Sequence, residues 1–165
     1  PENMLICISV SLSKSHTIYG LRTGALVSIH PEKEVTERLN TVMSVTGRQT
    51  WSAAPRVAQY CVSEMHSTLE GGAAWAQERD RLKKLLDDRR TALKLACEKH
   101  DVPLNPTMDG FFAWLESDDP EAIAEACATE DVFLVPLTGG VRIGICALSV
   151  SDMELVAIAL ANSLR

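Results

Sequence analysis

Short apolar runs and longer amphipathic stretches alternate along this chain. Leu5 to Val10 is almost unbroken in apolar character and too short for a helix, which predicts a buried strand. Gly24 to Ile29 predicts a second strand. Pro31 suits the first turn of a helix, and Val35, Leu39, Val42, Met43 and Thr46 then recur at helical spacing, with Gly47 as the stop. Ser52 is a candidate N-cap for the next helix, whose apolar face carries Val57, Cys61, Val62, Met65 and Leu69. Gly71-Gly72 interrupts that pattern and predicts a boundary, giving one domain over residues 1–70 and a second over 71–165.

The second part opens with a charged helix from Ala73 to about His100, with Leu82, Leu85, Leu86, Leu93 and Ala96 as its apolar stripe. The charges along residues 79–90 read as a solvated face carrying i,i+4 pairs. After the Pro103–Pro106 loop, an aromatic strand is predicted at Phe111–Glu116. Asp119-Pro120-Glu121 has the cap, first-turn proline and acid of a helix start. Strands are predicted at Val132–Val135 and Val141–Leu148. In the latter, Val141, Ile143 and Ile145 alternate against Arg142, Gly144 and Cys146. Ser151 to Glu154 reads as a capping box that opens a last helix. The element pattern is α/β.

At 165 residues the chain can bury a real core, and 46% hydrophobic with 23% charged residues is the composition of a soluble globular protein. A net charge of −6 disfavours nucleic acid or an anionic membrane as partner, and no apolar run approaches the length of a membrane span. Cys7, Cys61, Cys97, Cys127 and Cys146 are odd in number and scattered, which predicts reduced, buried thiols and a cytoplasmic location. The four histidines lack metal-ligand spacing, so no metal is expected. Pro1 stands where an initiator methionine would, and the first strand follows almost at once, so the chain reads as a piece of a longer protein.

The densest chemistry lies at Ser11-Leu12-Ser13-Lys14, followed eight residues later by Arg22 within Tyr19-Gly20-Leu21-Arg22-Thr23-Gly24. A lysine amine can form an imine with a carbonyl. Ser11, Ser13 and Arg22 offer hydroxyl and guanidinium donors suited to a phosphate. An aldehyde that also bears a phosphate, pyridoxal 5'-phosphate, meets those needs together. The plainer alternative is a solvated loop lysine beside a surface arginine. His16, two residues beyond Lys14, reads as structural.

This segment resembles the lysine motif of the class I aminotransferases, the aspartate and aromatic amino-acid branch in particular. Thr17 and Thr23 depart from it, standing where that family usually has small or aliphatic residues. Arg48-Gln49-Thr50-Trp51-Ser52, 34 residues after Lys14, resembles the family segment whose arginine reaches across a dimer to a substrate side-chain carboxylate, with Ala53 and Ala54 replacing Asn-Pro. Asp109-Gly110-Phe111-Phe112 resembles the strand whose phenylalanine borders the substrate. Gly140-Val141-Arg142-Ile143 resembles the segment whose arginine holds the substrate α-carboxylate, with one extra residue before Arg142 and Gly144 in place of an asparagine.

The resemblance runs through the whole chain. It implies the C-terminal portion of a fold-type I pyridoxal-phosphate transferase: the end of the large-domain sheet plus an α/β small domain. It further implies Lys14 as the catalytic residue, Ser11, Ser13, Lys14 and Arg22 as the cofactor site, and Arg142, Arg48 and Phe112 as substrate-binding residues. The implied reaction exchanges an amino group between an L-amino acid and a 2-oxo acid in a homodimer, with the family's ring-binding residues in a missing N-terminal part. A separately folded C-terminal domain without activity and a fold-type I lyase or decarboxylase are the alternatives; an arginine at position 48 favours dicarboxylate exchange over the lyase. Arg142 in a surface ion pair, Arg48 neutralising a helix end and Phe112 as core are the corresponding structural readings.

Overall fold

The computed structural model describes residues 3–165, which divide into two compact units between Arg79 and Asp80.

In the first unit, β1 (Ile6–Ser11) and β2 (Gly24–Ile29) pair antiparallel from Ile6↔Ile29 to Ser11↔Gly24. They are joined by a single helical turn, α1 (Leu12–Ser15), and a 3-10 turn at Tyr19–Leu21. Two helices follow, α2 (Lys33–Thr50) and α3 (Arg56–Met65). Both strands form where their apolar runs predict, but neither is buried. Ile8 and Leu26 are each 47% exposed and Ile29 is 50% exposed. A two-stranded ribbon has no second layer to cover its faces, so apolar strand residues alone do not bury themselves. Helix α2 also runs three residues past Gly47, and α3 starts at Arg56 behind Pro55 instead of at Ser52. Proline has no amide hydrogen to leave unpaired at a helix start, whereas Ser52 adopts a positive φ of 73° unsuited to an N-cap.

Helix α4 (Leu69–Lys99) passes through both Gly71 and Gly72, and the division between the units falls inside it. The glycine pair therefore does not interrupt a helix as its composition suggests. Gly71 is needed for a different reason, because a Cβ there would collide with the Met65 carbonyl oxygen.

The second unit holds the core. A three-stranded antiparallel sheet has the order β3-β5-β4, with β3 at Ala113–Glu116, β4 at Val135–Leu137 and β5 at Gly140–Ile143. Helices α5 (Pro120–Ala128) and α6 (Met153–Ser163) complete the unit with the end of α4. Leu93, Ala96 and Cys97 of α4 follow i, i+3, i+4 spacing. Met153, Val156, Ala157 and Leu160 of α6 do the same, and all join one cluster with Leu115, Val141 and Ile143. Asp119 caps α5, accepting from the Ala122 amide at 3.1 Å, with Pro120 in the first turn. The last helix is preceded by a capping box, but one built from Ser149 and Asp152 on a 3-10 turn, not from Ser151 and Glu154. The strands are also shorter than predicted: Phe111 and Phe112 precede β3, β4 starts only at Val135, and β5 gives way to a 3-10 turn at Ile145–Ala147.

Only Cys97 and Cys127 of the five free cysteines are buried; Cys7, Cys61 and Cys146 are exposed, contrary to expectation. Burial pushes the Cys97 thiol up to about 11. Among the described residues no helix is long and apolar enough to cross a membrane, and no group of three or more His, Cys, Asp or Glu residues is placed to hold a metal ion.

Leu115, on the edge strand β3, is fully buried beneath the sheet. Leu115→Ala is expected to destabilise the chain by about 2–5 kcal/mol in a denaturant titration, the range for emptying a leucine site in a rigid core. A loss below about 1 kcal/mol would mean that the cluster refills the cavity.

Candidate functional site

The lysine turn is built by the hairpin. Ser11 ends β1, Lys14 sits in α1, and the chain returns to β2 at Gly24. The Leu12 amide donates to the Thr23 carbonyl at 3.2 Å, closing the turn across its base. Gly24 is required there, because a Cβ would stand 2.5 Å from the Val10 carbonyl oxygen.

Arg22 has a left-handed backbone, with φ at 49°. That conformation folds its side chain back over the turn. Its Nη1 donates to the Tyr19 carbonyl at 2.9 Å, and its guanidinium lies 4.5 Å from the centre of the Tyr19 ring. Lys14 Nζ approaches the same ring at 5.4 Å. Both basic side chains thus converge on Tyr19, which the motif contained and sequence reasoning passed over. The two threonines that depart from the motif spend their hydroxyls on the backbone: Thr17 donates to the His16 carbonyl at 2.7 Å, and buried Thr23 donates to Leu21 at 2.9 Å. The hydroxyls of Ser11 and Ser13 have no hydrogen-bond partner among the described residues.

A second group forms in the other unit. In β5, Val141 and Ile143 point into the core, so Arg142 projects from the opposite face, opposite Trp114 of β3 and Val135 of β4. The Arg142 guanidinium stacks 4.4 Å from the centre of the Phe112 ring. Its Nε is buried and lacks a hydrogen-bond partner among the described residues. Both residues line a cavity of about 490 Å³ whose walls include Val132, Phe133, Leu148 and Leu155. A buried guanidinium N–H without an acceptor costs free energy unless a ligand completes it, and a carboxylate has the matching fork.

Arg48 is exposed in the last turn of α2, where its charge suits the negative end of the helix. Its Nη1 reaches Ser52 Oγ at 3.4 Å, and it makes no hydrogen bond or ion pair with the lysine turn among the described residues. The structure therefore brings Lys14 together with Arg22, and Arg142 with Phe112, while leaving Arg48 on a helix end.

The sequence matches the family described as aminotransferase class I and II over residues 1–160. The chain belongs to that family. It is similar to an aspartate aminotransferase of Pseudomonas aeruginosa, with 28% identity over 95% of this chain and 39% of that protein. Its fold superposes on an aminotransferase of Anaerococcus prevotii with a TM-score of 0.92 and 29% identity, covering 98% of this chain and 39% of the other. An aromatic-amino-acid aminotransferase of Burkholderia pseudomallei, solved covalently bound to pyridoxal phosphate, is 27% identical with a TM-score of 0.70 over 99% of this chain and 41% of its own. The α/β architecture is that of part of a fold-type I aminotransferase. The chain spans about two fifths of the length of these relatives.

Proposed function

We propose that this chain is the C-terminal part of a pyridoxal-phosphate-dependent aminotransferase that exchanges an amino group between an L-amino acid and a 2-oxo acid. Family membership supports the reaction class. The observation that carries the assignment to particular residues is the convergence of Lys14 and Arg22 on Tyr19, beside the hydroxyls of Ser11 and Ser13, which have no hydrogen-bond partner among the described residues. That donor set fits a phosphate-bearing aldehyde: hydroxyls and a guanidinium for the dianion, and an amine for the carbonyl.

Bound pyridoxal phosphate would supply the aldehyde and a ring able to take up the electron pair when the substrate Cα–H bond breaks. In this reading Lys14 Nζ would hold the cofactor through its aldehyde carbon, with water as the leaving group, and, once displaced by the substrate amine, would carry the proton to and from the α-carbon. Ser11, Ser13 and Arg22 hold the phosphate. Arg142 grips the α-carboxylate through its fork, using the Nε that lacks an acceptor among the described residues, and Phe112 braces the guanidinium through its ring face. Arg48 serves a substrate side-chain carboxylate from across a dimer interface. Its position on an exposed helix end is compatible with service to a neighbouring subunit. Relatives named for aspartate and for aromatic amino acids are about equally similar to this chain, so both substrate classes belong to the proposal.

The remainder of the enzyme and the second subunit are proposed to cover the exposed faces of β1 and β2, where Ile6, Ile8, Leu26 and Ile29 lie open. This chain alone is then expected to associate and to show no transaminase activity. Five free cysteines accord with a reducing, cytoplasmic setting.

Borohydride reduction of the intact enzyme with its cofactor, followed by peptide mapping, is expected to place a pyridoxyl group on Lys14; a label on another lysine would overturn the site. Arg142→Lys keeps a charge but loses the fork, and kcat/KM is expected to fall about 10- to 100-fold with cofactor binding intact. Unchanged kinetics would reject its role. Arg48→Ala should cost about 10- to 100-fold with aspartate yet little with tyrosine, since only aspartate loses a charge partner. Equal losses would make Arg48 a structural residue.

A further inference from the structure

His16 and His66 are fifty residues apart in sequence, yet their Nε2 atoms lie 3.0 Å from each other. His16 also stacks on Trp75, with ring centres 5.0 Å apart and planes at 22°. His66 meets both rings edge-on, at 5.3 Å from His16 and 4.9 Å from Trp75. All three residues belong to the first unit. They tie the lysine turn to the end of α3 and the start of α4, for His16 closes α1 by donating its amide to the Leu12 carbonyl at 3.0 Å.

The hydrogen bonds assign a direction to this contact. Ser15 Oγ donates to the Ser11 carbonyl at 3.2 Å, so at its other neighbour it accepts, from His16 Nδ1–H at 2.8 Å. A neutral His16 protonated at Nδ1 carries a lone pair at Nε2, which accepts from His66 Nε2–H. A chain of donors therefore runs from His66 through His16 and Ser15 to Ser11, enclosing Lys14 within the segment it braces.

We propose that the His66–His16–Ser15 chain is a positioning device that holds the lysine turn in place, and that it opens when both histidines are protonated. The proposal rests on the reading of Lys14 as the cofactor-bearing residue. One proton between the two rings still permits an N–H···N bond, whereas two place N–H against N–H. Burial, followed by the His66 charge, holds His16 below its ordinary value of 6.5. For a base whose pKa is depressed by folding, the associated stability is complete above the unfolded value and declines as pH falls through the folded one. The brace is thus closed at neutral pH and loosens under acid. The other charged groups on these elements within the first unit are Lys14 and Arg22, both directed at Tyr19, Arg56 and Glu64 on α3, and Glu70, Glu78 and Arg79 on α4, with Arg79 lying 4.9 Å over the Trp75 ring.

Amide hydrogen exchange of Leu12 and His16, corrected for intrinsic rates, tests this on the chain itself. His66→Ala is expected to lower protection about fivefold at neutral pH, the effect of one neutral hydrogen bond. His66→Gln retains an amide able to donate to a neutral His16 or accept from a charged one, and should keep wild-type protection. Wild-type protection should fall as pH is lowered from about 7.5 to about 4.5, while that of His66→Gln stays level. Equal loss in His66→Ala and His66→Gln, no loss in either, or a flat wild-type profile would overturn the proposal. If His66→Ala does not fold, the comparison of wild type with His66→Gln across pH decides alone. A pyridoxyl label on a different lysine would remove the reading of Lys14 without altering these exchange ratios, so the two failures are separable.

Discussion

Burial of Leu115, Val141 and Ile143 on one face of the small sheet is the constraint from which the second unit follows. Strand residues alternate between faces, so turning those three inward forces Arg142 outward, beside Trp114 and Val135. Gly140 allows β5 to approach β3 closely, since any side chain there would meet Leu115 backbone and the Trp114 ring. Moving β5 by one residue would put Arg142 into the core and Val141 into solvent, a large desolvation cost that pins the register. The arginine is aimed by the hydrophobic core behind it.

The first unit has a different economy. Among its described residues, Ala58 is the one buried hydrophobic side chain and Thr23 the one buried polar one. Its order comes instead from backbone pairing of β1 with β2, from the Leu12–Thr23 bond across the base of the lysine turn, and from the ring cluster of His16, His66 and Trp75. Hydrogen bonds contribute modestly where water competes for them. An aromatic cluster that ties the turn to two helices therefore matters more here than it would beneath a full core.

Much of this was legible in the chain. The capped start at Asp119-Pro120, the i, i+3, i+4 stripes of α4 and α6, and the alternation around Arg142 each reflect local chemistry that the fold obeys. The misreadings share a cause. Gly71-Gly72 looked like a break, yet each glycine weakens a helix by only about 1 kcal/mol, which neighbouring helical residues offset. The cysteines at 7, 61 and 146 looked buried because they lie in apolar elements, but apolar neighbours in sequence do not supply a covering layer. His16 reads as structural in both sequence and fold, but its partner is fifty residues away and so could not be named from neighbours.

What the sequence determined by itself was the set of chemical groups and their local spacing: a lysine between hydroxyls, an arginine eight residues on, and an arginine alternating with core residues on a strand. Periodicity and turn chemistry act over a few residues, so they can be read from neighbours alone. The tertiary structure decided which groups meet: Lys14 and Arg22 at Tyr19, Arg142 on Phe112, and His16 on His66 and Trp75. Those meetings depend on strand register, a left-handed residue at Arg22 and the packing of helices distant in sequence, and no local pattern encodes them.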